Sequence, residues 1–337
     1  MVGLIQNKGS EFVLRTTYLV FIVIISLLMS SRELYTSPDD LDYVNSFARF
    51  TPLPYDVLLL SEPLWILYSE VMSSFLDPEL CLRTTIFIAN FLFLLSCTLL
   101  LNWNFLFVII LFIFNLYLAT LFYYIQIRVG LAISIFLLLL HFKVRPVIAA
   151  LICSTIHSSF IAMAFAAVGG MIFSATRGVR LLGLLYAISA ILLVIFIDNP
   201  GLIASNIDLG RREGVYAFER ISNFNFYLIS FLQFFLAAPY IVQWIKNGDS
   251  ENRYTTLFVA YFSIAILISM VNEAGIRLVA MANIFMMINL GIGAVNKQER
   301  LFLGLSALTQ IFLVGTQFMK GDFGVDSWFL RWILILS

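Results

Sequence analysis

The chain of 337 residues is 61% hydrophobic and only 12% charged, with 33 phenylalanines and a mean hydropathy of +0.97. Ordinary soluble domains carry about a quarter charged residues, so these values exclude a soluble globular protein and imply a chain that crosses a membrane several times. Twenty basic and twenty acidic residues cancel, which argues against nucleic acid or another polyanion as partner and leaves the position of each sign as the informative quantity.

The first apolar run, Phe12 to Ser31, is too long for the core of a signal peptide and has no clear small-residue cleavage site, so it is expected to stay as a first span. Further runs close to the roughly 20 residues that cross a bilayer extend over Thr84 to Leu101, Phe105 to Tyr124, Arg180 to Ile197, Phe224 to Ile245, Tyr254 to Val271, Gly275 to Val295 and Leu301 to Phe318. Shorter ones cover Val129 to Phe142 and Trp328 to Leu336. The expected fold is therefore all-α, a polytopic integral membrane protein with about 10 to 12 transmembrane helices. It reads as one domain over 1–337, without repeats or a soluble module. Pro54 to Phe75, interrupted by Glu62 and Glu70, reads as an interfacial helix.

Lys8 and Arg15 precede the first span, and residues 32–62 hold six acids against two arginines. The excess of basic residues on the cytoplasmic side puts the N-terminus in the cytoplasm and makes 32–62 a first external loop. The same counting makes 198–223 a second external loop. Basic residues at 143–145 and 177–180 both belong inside, so the 28 residues from Pro146 to Phe173 must cross an even number of times while being too short for two ordinary spans. A re-entrant hairpin broken at His157-Ser158-Ser159 resolves the count, and broken backbone at membrane depth must be buried in protein or line a wet cavity.

The polar residues left on the external side are Arg32, Asp39, Asp40, Tyr43, Glu62, Arg128, Arg211, Arg212, Arg220 and Arg277, with His157 facing them from the hairpin. Each has a plain structural reading. Arg32 can snorkel to the interface, Glu273 and Arg277 stand four apart on a helix start, Arg211 and Arg212 can pair with nearby glutamates, the aspartates can form a solvated turn, and a single histidine is commonly a hydrogen-bonded structural residue. Arg128 is the exception, because a cation at a helix N-terminus opposes the macrodipole. Taken together, several guanidinium forks on one face and almost no lysine suit phosphate or pyrophosphate, and the apolar spans suit a lipid tail. A carboxylate or imidazole in the same chamber can act as general base toward a sugar hydroxyl. Cys81, Cys97 and Cys153 lack CxxC spacing and read as buried or lipid-facing thiols. No P-loop, GxSxG, HExxH or dinucleotide motif occurs, and neither a cofactor nor a metal is expected.

Five short segments carry a resemblance. SSRELYTSPDDLDYVNSF, SEPLWILYSEVM, IRVGLAISIFLLLL, STIHSSFIAM and AGIRLVAMANIF are similar, in order and spacing, to motifs of the O-antigen and exopolysaccharide repeat-unit polymerases, the Wzy and EpsG-like family of the lipid-linked, GT-C-like glycosyltransferases. The resemblance spans roughly Ser30 to Asn296. It implies a bacterial inner or plasma membrane enzyme that joins polyprenyl-pyrophosphate-linked oligosaccharides on the external face, by inversion, without a metal or cofactor. Its partners would be those lipid-linked substrates and membrane lipid, with a chain-length regulator and a flippase as further candidates. Functional weight falls on Arg32, Asp39 or Asp40, Tyr43, Glu62, Arg128, His157 and Arg277, and more weakly on Arg211, Arg212 and Arg220. His157 is the first choice for the base because its unperturbed pKa lies near working pH, with Asp39 or Asp40 as the alternative. Ser37-Pro38 stands where the family has a glycine, which leaves the choice between the two aspartates open. A transporter or flippase for a lipid-linked or anionic solute is the rival reading, since broken helices and buried charges mark such pathways too.

Overall fold

A computed structural model describes residues 8–35, 37, 39–48, 62–102, 126–175, 188, 254–271 and 275–293. The runs at Phe105 to Tyr124, Phe224 to Ile245, Leu301 to Phe318 and Trp328 to Leu336, the second external loop with Arg211, Arg212 and Arg220, and nearly all of Arg180 to Ile197 lie outside the described residues. The described elements are all helical: α1 Lys8–Ser30, α2 Asp40–Ala48, α3 Pro63–Phe75, α4 Pro78–Leu100, α5 Ile127–His141, α6 Pro146–Ser154, α7 Phe160–Ala175, α8 Thr255–Val271 and α9 Gly275–Gly293. Among the described residues two helices are long and apolar enough to cross a bilayer, Phe12–Ser30 within α1 and Pro78–Leu100.

The termini follow from local chemistry. Asp77 caps α4, its carboxylate accepting the Leu80 N–H at 2.9 Å, and Pro78 takes the first-turn position where no N–H is needed. Pro63 and Pro146 open α3 and α6 in the same way. Inside the apolar helices, hydroxyls such as Ser26 return to carbonyls of their own helix, here to Ile22 at 2.8 Å, which satisfies the donor away from water. Between α4 and α5 they also bind across. The Ser134 hydroxyl lies 2.7 Å from the Gly130 carbonyl and 2.9 Å from that of Ala89, while Ser96 donates to the Ser134 carbonyl at 3.1 Å, the polar contacts that join apolar helices where water is absent.

A set of contacts fixes which ends share a side. Arg83, near the start of α4, donates to the carbonyls of Ser30 and Arg32 at 3.0 and 2.8 Å, so α4 begins where α1 finishes. Tyr43 of α2 meets the start of α5, its hydroxyl accepting the Arg128 N–H at 3.4 Å. At the opposite end Tyr254 donates to the Leu140 carbonyl at 2.7 Å, which sets the start of α8 beside the finish of α5. Phe258 stacks on Phe285 at 5.3 Å, and Tyr261 reaches Phe285 and the Met281 sulfur. Residue numbers on α8 thus rise as those on α9 fall, so the two are antiparallel and α9 begins at the same end as α5.

The segment expected to form a broken hairpin is α6, a turn at 155–159, and α7. Both limbs rest at the Leu140 end. α6 leaves α5 through the four residues 142–145, and a Cβ on Gly170 of α7 would stand 3.6 Å from the Leu257 Cα at the start of α8. α6 has 9 residues and α5 has 15, or about 13 and 22 Å of rise. The turn at His157 therefore stops inside the bundle, roughly 9 Å short of the level where α5 begins. Phe160, just after the turn, packs against Phe136 of α5 at 5.4 Å and Phe285 of α9 at 6.5 Å, wedging the tip among α5, α8 and α9.

Candidate functional site

Above that tip, at the end where α5 begins, three separated segments converge. Arg128 extends from the first turn of α5, about one-third exposed, and its Nη1 donates to Oε2 of Glu62 at 2.8 Å. The other oxygen of Glu62, Oε1, accepts the backbone N–H of Ser158 at 2.8 Å. One carboxylate thus joins the start of α5 to the turn between α6 and α7. The adverse position of Arg128 at a helix N-terminus is offset by this anion. Its guanidinium also lies 5.6 Å from the centre of the Trp65 ring, within cation–π range. The Arg128 Nε is buried and has no hydrogen-bond partner among the described residues.

Glu62 is held by its own backbone. The residue before Pro63 is disfavoured in the right-handed helical region, and Glu62 takes φ 26°, ψ 64°, a left-handed conformation that costs a non-glycine residue roughly 1–2 kcal/mol. The conformation directs the start of α3 at the hairpin turn, where the Leu64 and Trp65 N–H groups donate to the Thr155 carbonyl at 2.9 and 3.4 Å. The Leu64 N–H is a first-turn donor that the helix cannot satisfy internally, while the Trp65 N–H is shared with the Glu62 carbonyl at 3.0 Å. Two interactions running in opposite directions, N–H to Thr155 and carboxylate from Ser158, therefore dock α3 on the hairpin.

His157 lies in the middle of the turn. Its Nδ1 accepts the Ser159 N–H at 3.2 Å and lies 2.8 Å from the Ser159 hydroxyl. A backbone N–H can only donate, so Nδ1 carries a lone pair, and in the neutral ring the proton sits on Nε2.

The first-loop residues form a second centre. Arg32 and Asp40 make a bidentate ion pair, Nη1 to Oδ2 at 2.6 Å and Nη2 to Oδ1, with both side chains fully buried. Asp40 Oδ2 also accepts the Tyr35 N–H at 2.9 Å and, weakly, that of Ser37 at 3.4 Å. Both carboxylate oxygens of Asp40 bind the Arg32 guanidinium, so the pair closes the chain between the end of α1 and the start of α2. Asp39 is half-buried at the start of α2, and its carbonyl accepts the Tyr43 N–H at 3.0 Å. Tyr43 connects the two centres. It packs edge-on to Trp65 at 6.1 Å, and burial raises its phenol pKa, while the Arg128 charge acts in the opposite direction.

Arg277 occupies the first turn of α9, so its backbone lies at the same end of the bundle as Arg128. Residues that sequence reasoning passed over also matter here: Arg83, Trp65, the Ser158 N–H and the Thr155 carbonyl. Arg83 carried a readable signal, a cation within an apolar helix. Main-chain donors and acceptors carry none. Cys81, Cys97 and Cys153 are free and buried, and among the described residues no cluster of three His, Cys, Asp or Glu side chains suits a metal ion.

Two helices long and apolar enough to cross a bilayer, α1 and α4, shorter apolar helices packed on the broken hairpin, and paired charges at one end of the bundle describe a membrane protein with a polar site at that end. The chain matches the EpsG family over residues 17–328, nearly its whole length, and belongs to that family. Membership places it in membrane polysaccharide biosynthesis, with lipid-linked saccharides as the implied substrates and repeat-unit polymerisation as the role to which the family points. No curated protein and no solved structure gives a match.

Proposed function

We propose that this protein is a multi-pass polymerase of the bacterial inner or plasma membrane that transfers a glycan from polyprenyl pyrophosphate to a hydroxyl of the next lipid-linked repeat unit. The convergence of Arg128, Glu62 and the His157 turn at one end of the bundle carries this reading, since one carboxylate ties a one-third-exposed cation to the turn that holds the imidazole. That end faces the periplasm or exterior, with the N-terminus cytoplasmic, loops 32–62 and 198–223 external, and the whole chain one membrane domain of about 10 to 12 spans in the GT-C-like class.

In the reaction the acceptor oxygen attacks the anomeric carbon, the bond from that carbon to the pyrophosphate oxygen breaks, and configuration inverts. Charge grows on the leaving pyrophosphate, where Arg128 and Arg277, assisted by Arg211, Arg212 and Arg220, stabilise it. The hydroxyl proton passes to His157 Nδ1 through Ser159, whose hydroxyl already lies against that nitrogen. Asp39 is the other candidate base, whereas Asp40 and Arg32 shape the first loop and Tyr43 supports Arg128. The arginines supply the electrostatics a metal would otherwise provide, so turnover persists in EDTA. A chain-length regulator and a flippase act alongside.

The test is surface glycan from a strain lacking the protein, complemented with Arg128→Ala. Single repeat units without a polymer ladder are expected, with the variant present in the membrane at wild-type level. A normal ladder from either strain refutes the reading. Removing one charge donor from a transition state lowers rate about 10²- to 10³-fold, enough to erase long chains.

A further inference from the structure

We infer that the Glu62 carboxylate is a built-in stand-in for a phosphate group, and that its seat, between Arg128 Nη1 and the Ser158 N–H, is the subsite the substrate's diphosphate takes by displacing it. This rests on the polymerase reading above and adds to it a place, a main-chain donor and an internal competitor.

The geometry is that of an anion site already filled. Two oxygens on one carbon are spaced much as two oxygens on one phosphorus. Here one of them meets a guanidinium and the other a backbone amide, each at 2.8 Å, the donor types that hold phosphates elsewhere. The Arg128 Nε is buried without a hydrogen-bond partner among the described residues. A carboxylate engaged through one oxygen leaves that donor empty. A phosphate has a further oxygen to offer it.

The occupant is also suited to leave. Glu62 belongs to the same chain, so its binding needs no ligand and holds the arginine ready, while its left-handed backbone at φ 26° is a strained conformation that displacement allows to relax. The pair is partly open to solvent, 36% for Arg128 and 17% for Glu62, which admits a competitor and keeps the pairing weak enough to be exchanged. Arrival of the diphosphate then reports to the hairpin turn, because the same Ser158 N–H changes partner directly beside the imidazole-bound Ser159 N–H.

The full-length protein purified in detergent is titrated calorimetrically with farnesyl diphosphate and with inorganic pyrophosphate. Glu62→Gln, which keeps the shape and removes the competing charge, is expected to bind farnesyl diphosphate about fivefold or more tightly than wild type, the factor released when a partly exposed ion pair no longer competes. Arg128→Ala should bind at least tenfold more weakly, and Glu62→Gln should give no gain in that background. Glu62→Asp, too short to span both donors, serves as a second variant and should also tighten binding. Matching gains for both ligands would assign the subsite to the diphosphate alone; a gain for farnesyl diphosphate only would assign it to a lipid-borne diphosphate. Unchanged or weakened binding in both Glu62 variants, with Arg128→Ala still impaired, overturns the stand-in while leaving the polymerase reading. Wild-type binding by Arg128→Ala removes both.

Discussion

Asp40→Ala is expected to destabilise the folded protein severely and to reduce polymer only through loss of protein. Its partner Arg32 has a fully buried side chain, so the substitution strands a guanidinium away from water and also removes the acceptor of the Tyr35 N–H. Breaking a buried pair from one side typically costs about 3–5 kcal/mol, which raises the unfolded fraction by two orders of magnitude or more. Replacing both charges, as Arg32→Met with Asp40→Leu, should recover most of that loss, because the desolvation burden disappears with the charges. Heat-induced labelling of the buried thiols Cys81, Cys97 and Cys153 in detergent-purified protein measures the effect. A wild-type melting profile for Asp40→Ala, or a double variant as unstable as the single one, would refute the clamp. A well-folded double variant without polymer would return the pair to the chemistry.

Four further outcomes follow from contacts already described. Arg128→Lys should retain far less polymerisation than its conserved charge suggests, since an ammonium lacks the planar fork and the face that lies over Trp65; full activity by glycan gel would contradict this. Ser159→Ala should shift the pH profile of polymerisation in membrane vesicles as His157→Ala does, and a profile identical to wild type would remove the proton route through the hydroxyl. Arg83→Ala leaves the Ser30 and Arg32 carbonyls without this donor and should lower stability by about 2–3 kcal/mol, read as a lower melting temperature. Gly170→Ala should be neutral or slightly stabilising, because the added methyl meets the α8 backbone at ordinary contact distance and helix propensity improves by up to about 1 kcal/mol; a large loss would disprove the stated packing of α7 on α8.

Much of this architecture was legible because a membrane makes sequence unusually explicit. Apolar runs predicted α4, α5, α8 and α9 within a few residues, although α4 starts at Pro78, six residues before Thr84, since Asp77-Pro78 is a strong start signal and Arg83 can bind carbonyls instead of ending the helix. The broken hairpin came from charge arithmetic alone, and the backbone supplies a break at 155–159 where His157 was expected. Interaction between particular side chains was harder to foresee. Arg128 was expected to face a ligand, yet its described partner is Glu62, 66 positions earlier. The two neighbouring aspartates could not be told apart by sequence, and a single residue of helical rotation separates one locked against Arg32 from one that is half-exposed. Main-chain donors such as the Ser158 N–H carry no letter in the sequence, so that half of the Glu62 seat was invisible.

Pro146 has a wider consequence. It opens α6 where no amide hydrogen is needed, after α5 has stopped at His141 and Lys143 has turned left-handed at φ 60°, so α5 and α6 are two pieces and not a rod about 42 Å long over 127–154. Such a rod would carry the imidazole far from the bundle end that Arg128 occupies. The bend thus returns the chain toward the start of α5, and the nearness of the His157 turn to Arg128 depends on that reversal.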